Sequence, residues 1–290
     1  VDIIERFHTA LDLEAHEQDP ALLPHALART AAHVLSTEPL TAHGSSAAAE
    51  LILIDPSQRL HHVPIGASTP EAATAESWQF TLGDSPCAAA LDTGKPVLAD
   101  EAAFRERWPL LHEQLRRHTP FRATFSLPLG RASACIGALT LYLHHPQPLL
   151  GNINTAYVVA SLTHTALLEG SSACTAFEGP PSSESNALGT DPAQSSPAQS
   201  SPAQFSPAHL SPAHLSPAVT AWLDATPALR RHNVWMATGI CSAALNLNAH
   251  DALALLRAYA FVHDQLVDDV ADDIITGRTP IHTLQDRDHT

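Results

Sequence analysis

Between Val234 and Gly277 apolar residues recur at three- and four-residue steps, Leu253, Leu256 and Ala260, then Val267, Val270, Ala271 and Ile274. That spacing predicts three short helices folding on one another. Asn248 is placed to cap the second, with Asp251 at the capping-box position, and Asp264 to cap the third. Upstream, 20–35 reads as an amphipathic helix with Leu22, Leu23, Leu27, Ala31 and Val34 near one face. The period then changes. The apolar run 47–54 is bounded by the turn residues Asp55, Pro56 and Ser57, and 60–65 reads as the returning strand of a hairpin. Thr69 and Pro70 open a helix, the loop 82–87 leads into a short helix ended by Gly94, and 96–100 is a brief strand. A helix over 104–118, strands over 124–129 and 134–143, and a helix over 152–168 complete the order. This succession predicts an α+β fold with an antiparallel sheet and flanking helices.

From Ser171 the periodicity stops. Proline recurs every five residues from Pro192 to Pro217, and no Lys or Arg lies between Ser171 and Ala218. Such a stretch cannot bury enough apolar surface to offset its chain entropy, so it is expected to be a disordered, partly polyproline linker. The expected division is therefore 1–170, a linker over 171–218, and an all-α module over 219–290.

Composition narrows the function classes. The net charge of −15 argues against a nonspecific nucleic-acid binder. Four Cys far apart in sequence fit reduced thiols, and no apolar run approaches eighteen residues, so a cytoplasmic protein with no membrane span is expected. The 19 His occur without HxxxH or Cys-x-x-Cys spacing, which predicts neither a metal site nor a cofactor. No Ser-His-Asp set, paired carboxylates or Gly-rich phosphate loop stands at motif spacing, so the chain is not expected to be an enzyme.

The residues Leu82-Gly83-Asp84-Ser85-Pro86-Cys87, Asp100, Arg107-Trp108-Pro109, Ser126-Leu127-Pro128-Leu129 and Ile136-Gly137-Ala138-Leu139 resemble the GAF domains that precede ANTAR domains in actinobacterial regulators. The resemblance spans 22–168, with Ser85 where the family loop usually carries a second glycine. It implies a small-molecule pocket between the sheet and the helices over one face, with Trp78, Cys87, Trp108 and Phe125 as candidates to line it. The alternative for the aromatics is plain core filling. Cys87, at the start of a helix, is a candidate redox thiol because the helix dipole lowers a thiol pKa; its alternative is structural burial. Cys87 and Cys135 do not match the cysteine motif of the GAF proteins that reduce methionine sulfoxide.

The C-terminal run Ala237-Thr238-Gly239, Asp251-Ala252-Leu253, Leu256-Arg257, Ala260 and Val267-Asp268-Asp269-Val270-Ala271 resembles the ANTAR domain, a helical module that binds paired RNA hairpins and prevents premature termination. The resemblance implies a transcription antitermination regulator that binds two-hairpin RNA as a homodimer. Thr238, Gln265 and Asp268 stand where basic residues are frequent in that family. Arg257 is the first candidate for RNA contact, with a salt bridge to an Asp such as Asp251 as its alternative, followed by Arg230 and Arg231. Five Arg and no Lys face nine Asp from Val219 onward, which leaves open an alternative output that binds protein through the acidic third helix.

Overall fold

The computed structural model of the chain describes residues 2–14, 19–36, 47–55, 58–130, 135–146, 153–173 and 216–285. The expected linker lies almost wholly outside them. Five antiparallel strands form one sheet in the order β2-β1-β5-β4-β3, with β1 at Ala47–Asp55, β2 at Gln58–Ala67, β3 at Val97–Ala99, β4 at Ala123–Leu129 and β5 at Gly137–Leu143. The central strands β4 and β5 are buried on both faces almost throughout, which is why they read as apolar runs rather than as alternation.

The two faces of the sheet differ in kind. Ala49 and Leu51 of β1, Phe125, Leu127 and Leu129 of β4, and Leu139 and Leu141 of β5 point to an apolar core. That core is closed by α1 (Ile3–Glu14), α2 (Leu23–Ser36), α7 (Ile153–Ala173) and α8 (Pro217–Leu223). The opposite face carries Ala48, Glu50, Ile52 and Tyr142, and is covered by α3 (Pro70–Leu82), α4 (Pro86–Thr93), α5 (Glu101–Arg107) and α6 (Pro109–His118). A Cβ on Gly137 would lie 1.9 Å from the Ile52 carbonyl oxygen, so the β1–β5 pairing here requires glycine. This is the physical content of the Ile-Gly-Ala-Leu stretch.

Several local expectations hold. Thr69 caps α3 through the Ala72 amide, with Pro70 in the first turn. The loop 82–87 leads into α4, which ends at Gly94; its cap, not foreseen, is Ser85 through the Ala88 amide, from an extended backbone that needs no glycine. Asn248 caps α10 (Ala249–Val262) through the Asp251 amide and also donates its Nδ2 to the Asp251 carboxylate at 2.7 Å.

Others need correction. The single helix expected over 104–118 is two, broken at Trp108, because Pro109 can open a helix but not sit inside one. Asp264 does not cap the third C-terminal helix. It sits in the left-handed region at φ 54°, and α11 (Val267–Ile275) has no side-chain cap of its own. The first C-terminal helix, α9 (Thr226–Leu245), starts well before Val234, opened by Pro227.

Helices α9, α10 and α11 enclose a second core built on Val234, Ala237, Cys241, Leu256, Val270 and Ala271. Its aromatic centre comes from elsewhere in the chain: Phe80 of α3 is fully buried in it. The C-terminal helices therefore rest on the outer side of α3, and that helix is buried on two faces at once.

Candidate functional site: two faces of one helix

Helix α3 links a polar cluster inside the sheet layer to the C-terminal helices. On its inner side, Gln79 donates to the Tyr142 hydroxyl at 2.8 Å, and that hydroxyl donates to Glu50 Oε2 at 2.8 Å. The Cys87 amide donates to Gln79 Oε1 at 3.3 Å, and Ser126 and Thr140 pair on the neighbouring strands at 3.1 Å. Glu50 Oε1 has no partner among the described residues. Burial, reinforced by the negative charge of Glu76, pushes the Glu50 carboxyl well above the usual carboxylate range. The group thus favours its neutral, protonated form.

The expected pocket residues do not converge. Cys87 packs with Ile52 and Leu91; Trp78 and Trp108 belong to the core under α5 and α6; Phe125 faces the opposite side of the sheet. Trp78 stacks on His118 with centroids 4.9 Å apart, and the Trp108 indole donates to Asp84 at 2.9 Å. The expectation that Cys87 is an acidified thiol is corrected as well. The thiol is 7% exposed, and burial, then Glu50, push its pKa up despite the helix-start position. Structural burial is the reading that fits.

On the outer side of α3, Arg231 of α9 meets Glu76 in a bidentate pair at 2.9 and 2.8 Å. Arg231 Nε donates to Asp268 of α11 at 3.2 Å, and Nη1 also donates to the His62 carbonyl at 3.3 Å. Its guanidinium carbon lies 3.4 Å from the Phe80 ring centroid. The His62 ring stands 3.3 Å from Glu76, which places β2, α3, α9 and α11 at one buried junction. Burial alone would raise the Glu76 carboxyl, but Arg231 and His62 outweigh it and hold it at about 2. Burial pulls His62 below its ordinary value, against the pull of Glu76. Thr81 completes the contact: its Oγ1 accepts from the Val267 amide at 3.1 Å, supplying the cap that α11 lacks.

The three arginines expected to touch RNA are therefore placed as follows. The Arg231 side chain is 1% exposed and its donors are committed to Glu76, Asp268 and His62. Arg230 is half-buried and bonded to Asp269 and Asp272. Arg257 faces α3, with its guanidinium carbon 4.9 Å from the Phe80 centroid, and its Nε is buried without a partner among the described residues; the alternative of a salt bridge to Asp251 is not formed. The acidity of α11 also has an internal explanation. Asp268 meets Arg231, Asp269 and Asp272 meet Arg230, and Asp273 meets Arg278.

Sequence reasoning missed Glu50 and Glu76. A lone carboxylate in the otherwise apolar run 47–54 was a usable signal for the first; nothing local marks the second. Among the described residues no group of three His, Cys, Asp or Glu is placed to hold a metal ion, and no helix is long and apolar enough to cross a membrane.

Residues 21–167 match the family model of the GAF domain, and the chain belongs to that family. Among solved structures it is similar to the GAF domain of a phosphoenolpyruvate-protein phosphotransferase from Acinetobacter, at 8% identity over 58% of this chain and 93% of that one, with a TM-score of 0.39. It is also similar to a free methionine-R-sulfoxide reductase from Neisseria meningitidis in complex with its substrate, at 19% identity over 58% of this chain and 87% of that one, with a TM-score of 0.35. No curated protein matches the chain. Membership of the GAF family supports a signal-sensing role.

Proposed function

We propose that the protein is a cytoplasmic, non-catalytic regulator in which the GAF domain senses a small molecule and gates a C-terminal output module. That module binds hairpin RNA and favours transcription antitermination, acting as a homodimer. The observation that carries the gating is the double burial of α3. Gln79 ties this helix to the Glu50–Tyr142 cluster, while Glu76 and Phe80, on its outer side, hold Arg231 and the second core. A ligand that shifts α3 by contact with the inner cluster changes the fit of both outer groups. The docked arrangement is the closed state, because it occupies Arg231 and turns Arg257 toward α3. Release exposes both. Because few basic groups are then available, binding relies on stacking against looped-out bases more than on phosphate contacts.

The test is a titration of the full chain and its Glu76→Lys variant against a two-hairpin RNA at several salt concentrations. The substitution sets a like charge against Arg231 and opposes docking. The variant is expected to bind at least tenfold more tightly than the wild type, with a shallow salt slope. If neither protein binds at low salt, the RNA reading fails and the output is a protein contact.

A further inference from the structure

Between the α3–α4 turn and α10 lies a cleft of about 490 Å³. Ala88 and Ala89 of α4 form one wall, and Leu253, Ala254 and Phe261 of α10 form the other. Arg257 supplies the cation. Among the described residues its guanidinium makes no hydrogen bond or ion pair, and its Nε is buried. The backbone of Gly83 permits this placement: a Cβ there would lie 2.6 Å from Arg257 Nη1, at a φ of 77°. Arg257 lies over the Phe80 face and feels the like charge of Arg231, neither of which neutralises it. A desolvated cation without a counter-ion is costly unless something supplies the missing charge.

We propose that this cleft binds a small organic monocarboxylate, with its carboxylate on Arg257 and its apolar body between α4 and α10. Asp84 and Asp92 also line the cleft. Their negative charge disfavours a multiply charged phosphate, while a single carboxylate paired with the guanidinium fork is tolerated. The apolar walls select against small hydrophilic anions. An amino acid and a simple fatty or keto acid share the required carboxylate. Because one wall belongs to the GAF domain and the other to the C-terminal helices, the ligand bridges them and holds the docked state. This site is distinct from the inner cluster of α3, and it stands whether or not the output module binds RNA.

The test is calorimetric titration of the full chain with 4-methylpentanoate, leucine, leucinamide and inorganic phosphate. Saturable binding is expected for 4-methylpentanoate or leucine, and none for leucinamide or phosphate; whether leucine binds more tightly identifies the source of the carboxylate. Arg257→Gln should weaken binding at least tenfold. Ala88→Leu, which fills the cleft from the GAF side and leaves the guanidinium in place, should do the same and decides the matter if the first variant does not fold. No saturable binding of either carboxylate, binding unaffected by both variants, or phosphate binding as tightly as the carboxylates would overturn the proposal. RNA titration of the same variants is a separate measurement, so failure here leaves the antitermination reading intact.

Discussion

Two arginines cross from the C-terminal helices to α3, and the same phenylalanine ring lies under both, 3.4 Å from the guanidinium carbon of Arg231 and 4.9 Å from that of Arg257. Arg231 is met by two carboxylates and a backbone carbonyl. Arg257 is met by no carboxylate among the described residues. The difference decides what each can do. A buried cation with every donor used is part of the fold, and its partners define how the modules fit together. One that borders a cleft with an unsatisfied donor has capacity left for a ligand. Both arginines were candidates for RNA contact on sequence grounds, and only their surroundings separate them.

The most direct way to break the comparison is to remove the paired cation. Arg231→Ala leaves Glu76 and Asp268 buried without their counter-charge, and is expected to cost about 3–5 kcal/mol. Denaturant titration of the full chain would measure it. Replacing Arg231 by Met together with Glu76 and Asp268 by Leu should recover much of the loss, because an apolar triad of similar volume leaves no stranded charge. A single variant as stable as the wild type would show that the junction does not hold the modules together.

Acid titration sharpens the same point from the other side. Glu76 is held at about 2 against an ordinary value of 4.5. A depressed carboxyl contributes stability that is complete above pH 4.5 and lost as the pH falls through about 2; at about 1.4 kcal/mol per unit this is on the order of 3 kcal/mol. His62 adds to it. Its folded value lies below 6.5, so its contribution is complete above pH 6.5 and declines as acid charges the ring through that lower value. The wild type should therefore weaken below pH 6.5 and more steeply below 4.5, as read by unfolding at a series of pH values. The Arg231→Ala protein should lack most of the steep limb, because Glu76 then loses the stronger of the two groups that hold it down.

Glu50 gives the opposite sign and a smaller effect. Its folded value is raised, so its contribution is complete below pH 4.5 and is lost as the pH rises through the raised value. Glu50→Gln cannot ionise and still offers Tyr142 an acceptor. It is expected to match the wild type near pH 4 and to be the more stable of the two at pH 8, measured as a shift in thermal midpoint. A variant less stable than the wild type at pH 8 would mean that the carboxylate is ionised and satisfied there.

What the sequence made legible follows from the range of the interactions involved. Caps, turns and strand periods are local, so Thr69, Asn248 and Gly94 reported element ends correctly. The break at Trp108 was equally local, since Pro109 forbids a continuous helix, and it was obscured only by the apolar spacing on either side. Asp264 had the residue type of a cap, but its carboxylate instead meets Arg117 of α6, 147 residues away. The junction was illegible for the same reason. Arg231 and Glu76 are 155 residues apart, and no property of either segment marks the other. Phe80 carries this furthest: in sequence it is one more aromatic of an α+β domain, and in space it is the centre of another module's core. Thr238, where the resembling family carries a basic residue, is buried and bonds back to the Val234 carbonyl, so a charge there would need a different packing.

The smallest effect is expected at the unpaired arginine, and its sign is the informative part. Burial, and then the neighbouring Arg231, lower the Arg257 guanidinium to about 10, so it remains charged at neutral pH. Replacing it by Met keeps an apolar stem against α3 and removes a charge that has no counter-ion among the described residues. It also removes an attraction to the Phe80 face worth about 0.5–2 kcal/mol. The two changes oppose one another, and Arg257→Met should leave stability unchanged or raise it by no more than about 1 kcal/mol. The response to ligand then separates cost from function. A monocarboxylate that binds the folded state adds RT ln(1 + [L]/Kd) to the stability of the wild type, about 2.7 kcal/mol at a hundredfold excess over Kd. The variant should gain nothing from the same concentration of 4-methylpentanoate. If Arg257→Met is destabilising by as much as Arg231→Ala, the two arginines are equivalent structural pins and the contrast drawn between them disappears.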